Sequence, residues 1–168
     1  AENVRFDLVT ASALIDLVSE TWLQSLAAGC AELGAAVHIA LSYDGSVQWS
    51  EADALDGEVL AAVNAHQERD KGLGSALGPH ATDRLAHFLE ARGYRVWTTV
   101  SPWRLGSVSA PLAEHLIAGW VQAASEQNPS QADPYWDWGT RRLADLVSGH
   151  TKIRVGHRDL VALPGPTE

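Results

Sequence analysis

His66 and Asp70 stand four residues apart in N-A-H-Q-E-R-D-K (64–71). On a helix that spacing puts both side chains on one face. A carboxylate beside an imidazole orients the ring and raises its basicity. Such a pair is a candidate general base for taking a proton from an acceptor hydroxyl or amine. Asn64, Gln67 and Lys71 surround it and are candidate substrate contacts. A structural polar network at a helix end accounts for the same residues, and for catalysis it is the simpler account.

Other chemistries lack their motifs. The seven histidines are dispersed, without an H-x-x-x-H spacing, and Cys30 is the only cysteine. No zinc site is expected from that pattern, and Cys30 reads as a small buried hydrophobe in a reducing compartment. There is no G-x-S-x-G elbow and no P-loop. A net charge of −9 argues against a phosphate-backbone partner, which needs a clustered basic face. No apolar run approaches the ~20 residues that span a bilayer, so no membrane partner is expected. No secretory signal pattern opens the sequence, and the expected location is the cytoplasm.

The positioning elements follow from apolar periodicity. Phe6–Thr10 is a short apolar run, expected to be a strand covered on both faces. Ser19 is an N-cap residue, and Trp22, Leu23, Leu26, Cys30 and Leu33 recur at helical spacing until Gly34. Ala36–Tyr43 is a second buried strand, parallel to the first by the crossover rule. Asp44-Gly45 then predicts a turn into a small hairpin that carries Val47 and Trp49. A helix is expected over Asp53–Lys71, a glycine-broken loop to Pro79, and a helix over Asp83–Arg92. Tyr94–Val100 alternates as a strand, and Ser101-Pro102-Trp103 turns away from it. Helices are expected over Ala110–Gln127 and Tyr135–Ser148. Ile153–Leu163 closes the pattern as a strand pair, or as one strand bent near Gly156-His157. Residues 1–168 read as a single unit.

This order, with the phrases FDLVTASALIDLVSETWL, NAHQERDKGLGSALGP, RGYRVWTTVSPWRL and VGHRDLVALP, resembles the second half of a class I S-adenosylmethionine-dependent methyltransferase. The resemblance implies an α/β fold: a Rossmann-like half-sheet of strands four to seven flanked by helices, its last strand inserted antiparallel between the fifth and sixth. It departs from the family at the decisive motif. No G-x-G-x-G follows a strand, and K-G-L-G-S-A-L-G (71–78) follows a helix. On this reading the sequence is the C-terminal part of a larger methyltransferase domain. A chain with seven Trp and no Met that opens on a core strand points the same way.

Ligands of open α/β sheets lie beyond the carboxyl ends of the strands. Thr10, Ala11, Ser12 and Ala13 occupy that end of the first strand, and their small side chains leave room for a ligand. The resemblance assigns them to S-adenosylmethionine; a tight strand–helix turn needs small residues equally. Tyr43 and Asp44, at the corresponding end of the next strand, are candidates for the acceptor pocket, and a plain turn explains Asp44-Gly45 equally well. Trp103 and Arg104 are candidates to roof that pocket, although such a Trp is more often core. The function implied is methyl transfer to a small-molecule acceptor, with weak or no cofactor binding, and no activity, by this chain alone. The alternative is a non-catalytic half-sheet module that pairs with a partner, or with itself as a homo-oligomer, through its exposed first strand.

Overall fold

The computed structural model describes residues 6–70 and 72–166. Its elements are β1 (Leu8–Ser12), α1 (Glu20–Leu33), β2 (Ala36–Trp49), α2 (Asp56–Gln67), α3 (Ala81–Glu90), β3 (Tyr94–Val100), β4 (Trp103–Leu105), α4 (Ala110–Gln127), α5 (Ala132–Val147) and β5 (Ile153–Pro164). The sheet order is β1-β2-β5-β3, with β4 also on β5. β1 and β2 are parallel, Leu8 facing Ala36 and Ser12 facing Ala40. β3 and β4 are both antiparallel to β5. Ser50 N donates to Lys152 O at 3.0 Å, and Leu41 N meets the Asp159 carboxylate at 2.9 Å. As β2 advances β5 recedes, so that pair is antiparallel too. The expected half-sheet is therefore formed, its last strand reversed and inserted between β2 and β3.

Three expectations are corrected. β1 begins at Leu8, and its exposure alternates, so it is covered on one face only. β2 does not turn at Asp44-Gly45: Gly45 takes φ +85° within a strand that continues to Trp49, and no hairpin forms. A glycine tolerates that dihedral without ending the pairing. Pro102 does not turn the chain away either, since β4 resumes pairing with β5 directly beyond it.

The chain forms two compact units, 1–44 with 68–101 and 157–168, and 45–67 with 102–156. In the first, α1 and α3 pack together over a core that includes Ile15, Leu23, Ile39, Leu85, Leu89 and Leu160. The Ser19 hydroxyl caps α1 by accepting from Trp22 N, and Gly34 closes it at φ +65°. Cys30 is buried as expected, and burial pushes its thiol up, which keeps it protonated and inert. In the second unit α4 packs against α2 and α5. Gly139 on α5 is what lets α4 approach, because a Cβ there would lie 2.6 Å from Val121 Cγ2.

Candidate functional site

The first unit gathers polar groups where the parallel pairing of β1 with β2 ends, at Ser12 and Ala40. β1 stops at Ser12, and Ala13 turns the chain with φ +50° while its N–H donates to Ala40 O at 3.0 Å. On β2, Leu41 stands at φ +56°. Two non-glycine residues in the left-handed region each cost about 1–2 kcal/mol. At Leu41 the conformation is held by Asp159 on β5. Its Oδ1 accepts from Leu41 N at 2.9 Å and from the Ser101 hydroxyl at 2.7 Å. A side chain thus replaces a backbone partner, and the chain bends at the level of Ser42 and Tyr43.

Around that bend lie Asp16, Ser42, Tyr43 and His157, all buried. The Tyr43 ring meets the His157 ring edge to face at 6.4 Å. Burial raises the Asp16 carboxyl above the ordinary range; a bond to its own backbone N–H and the nearby His157 charge pull the other way. Burial, aided by Asp44, also raises the Tyr43 hydroxyl far above its usual value, so it stays a neutral donor. Asp16 Oδ1 and Ser42 Oγ are buried without a hydrogen-bond partner among the described residues. A buried polar atom left unsatisfied costs about 1–3 kcal/mol. Each retains hydrogen-bonding capacity: the carboxylate oxygen can accept, and the hydroxyl can donate or accept.

Of the residues singled out by sequence, Thr10, Ala11, Ser12, Ala13 and Tyr43 belong to this unit. Tyr43 is not at a strand end, because β2 runs on past it. Asp70 also belongs here, but α2 ends at Gln67 and the helical face that Asp70 was to share with His66 does not form. Asp70 Oδ1 instead accepts from Gly72 N at 2.7 Å and Gly74 N at 3.1 Å, closing its own loop. Lys71 lies outside the described residues. Asn64, His66, Gln67, Trp103 and Arg104 belong to the second unit. His66 Nε2 meets Glu126 Oε2 at 2.8 Å, so its carboxylate comes from α4. Asn64 Nδ2 donates to Gly45 O at 3.0 Å, and Trp103 and Arg104 pair with Val155 and Arg154.

Sequence reasoning missed Asp16, Ser42, His157 and Asp159. The polar D in the apolar run A-L-I-D-L-V was the available signal for Asp16. His157 and Asp159 lie more than a hundred residues away along the chain and carry no local signal. Among the described residues no group of three His, Cys, Asp or Glu is placed to hold a metal ion. No helix there is long and apolar enough to cross a membrane.

No family model and no curated protein matches the chain. Among solved structures it is similar to Haemonchus contortus phospholethanolamine N-methyltransferase 2, in complex with phosphomonomethylethanolamine and S-adenosylhomocysteine. That match has 11% identity and a TM-score of 0.35 over 96% of this chain and 34% of that one. It is also similar to the cyclopropane synthase MmaA2 from Mycobacterium tuberculosis, at 9% identity and a TM-score of 0.37 over 95% of this chain and 56% of that one. The chain therefore spans about a third and about half of the length of these two structures.

Proposed function

We propose that this chain is the C-terminal part of an S-adenosylmethionine-dependent methyltransferase acting on a small molecule. The observation that carries the reading is the sheet order β1-β2-β5-β3 with β5 reversed. This is the arrangement that the sequence resemblance implies for strands four to seven of that family. Polar groups collect at the carboxyl end of β1 and beside the bend in β2, where open α/β sheets bind ligands.

The residues fit an amino-acid-bearing cofactor. The partnerless Asp16 Oδ1 suits an ammonium group and the Ser42 hydroxyl suits a carboxylate oxygen. Thr10–Ala13 would form the floor, and Tyr43 and His157 a wall that keeps water out. When bound, S-adenosylmethionine supplies an electrophilic methyl group, so positioning the acceptor does much of the work. His66, oriented by Glu126, is the residue we assign to hold an acceptor proton. Asn64, Gln67, Trp103 and Arg104 are the proposed acceptor contacts. The test is calorimetric titration of S-adenosylhomocysteine into this chain and into the product of its whole coding region. The whole product should bind and should transfer labelled methyl to small molecules, while this chain alone binds weakly. A whole product that neither binds nor transfers would overturn the reading.

One observation favours the second reading, a half-sheet module that pairs through its first strand. β1 is the end strand of the described sheet, and Leu8 on it is 56% exposed. A sedimentation measurement showing a stable dimer that binds no S-adenosylhomocysteine would support that reading over the first.

A further inference from the structure

The cations of this acidic chain are unevenly partnered. Arg84 pairs with Glu20, Arg141 with Asp53, Arg142 with Asp56 and Arg158 with Asp83. Arg104, Lys152 and Arg154 make no side-chain ion pair or hydrogen bond among the described residues. All three line one depression of about 410 Å³ in the second unit, with Gln48, Ser50 and Gly106. The sheet builds this concentration. Arg104 on β4 is directly opposite Arg154 on β5. Residues so paired point to the same face, and like charges there repel. Lys152 precedes Arg154 by two residues and so lies on that face as well. It is fixed in register by Ser50, whose N–H donates to Lys152 O and whose hydroxyl accepts from Lys152 N, both at 3.0 Å. Leu105, Ile153 and Val155 alternate with these cations and are buried, anchoring the strands, and Leu105 and Ile153 also border the depression with Trp49.

We infer that this depression is a binding site for a small molecule bearing a phosphate or diphosphate group. Two guanidinium groups facing one space, with an ammonium beside them, match the charge and the several acceptor oxygens of such an anion. The anion would also relieve the repulsion between Arg104 and Arg154. A volume near 410 Å³ suits a small molecule rather than a polymer. The site shares Arg104 with the proposed acceptor contacts, but a titration without cofactor tests it separately from the methyl-transfer reading.

The experiment is calorimetric titration of inorganic pyrophosphate into the full chain at constant ionic strength. Saturable one-site binding is expected, weakened about tenfold or more by Arg154→Gln and by Arg104→Gln. Arg95→Gln, which removes an exposed cation stacked on Trp97, should leave it unchanged. Without ligand, Arg104→Gln should melt above the wild type, because a repulsive pair is gone. If either arginine variant fails to fold, Lys152→Gln at its exposed position decides by the same loss of affinity. No saturation by ~10 mM pyrophosphate would overturn the inference. So would binding that Arg95→Gln weakens as much as the site variants do.

Discussion

Asp56 is the residue whose removal the second unit should tolerate least. Its Oδ1 accepts from Arg142 Nε and from Trp138 Nε1, both at 2.9 Å. Its Oδ2 accepts from the other end of the same guanidinium and from Asp53 N at 2.9 Å. Arg142 is only 1% exposed, donates also to Glu51 O at 3.0 Å, and lies 4.2 Å from the centre of the Trp49 ring. A guanidinium does not shed its proton in a protein, so without Asp56 a full charge stays buried. Losing one partner of such a pair costs about 3–5 kcal/mol. Asp56→Ala should fall in that range, since it also strands Trp138 Nε1. Asp56→Asn keeps one acceptor and should cost about 2 kcal/mol. The assay is urea denaturation followed by tryptophan fluorescence, which suits this unit because Trp49, Trp103, Trp120, Trp136 and Trp138 all belong to it. Asp56→Leu combined with Arg142→Met should cost well below the sum of the two single changes, by about 2 kcal/mol or more. A cost below ~1 kcal/mol for Asp56→Ala, or strict additivity in the cycle, would refute the argument.

Two further predictions concern the first unit. Burial raises the Asp16 carboxyl in the folded chain, so the fold binds that proton more tightly than the unfolded chain does. Its contribution is full below the unfolded value of about 3.9 and is lost as pH rises through the folded value. Asp16→Asn should therefore melt above the wild type at pH ~8 and show no advantage near pH ~4; an equal gap at both would refute the charge argument. Ala13 holds φ +50°. Ala13→Val should destabilise by about 1–2 kcal/mol in chemical denaturation while Ala13→Gly stays near neutral, and the reverse order would show that the turn is not strained.

Much of the secondary structure was legible from local pattern. The cap at Ser19, the stop at Gly34 and the bounds of α4 follow from residue type and helical periodicity alone. The βαβ beginning and the reversed last strand were expected and are formed. The errors share a cause. Gly45 and Pro102 are turn residues by composition, yet β2 and β4 keep pairing with β5 past both. Pairing with a distant strand outweighed a local preference. Asp70 was matched to His66 by helical spacing, but the helix stopped three residues short and the loop took the carboxylate.

The sequence by itself determined the alternation of strands and helices, the acidic charge and the small residues at the end of the first strand, because these depend on residues near one another in the chain. Only the tertiary structure decided which groups meet. Asp159 holds Leu41 across 118 residues, and Arg154 faces Arg104 across a strand pair. Register and burial set those meetings, and neither is a property of any short stretch of sequence.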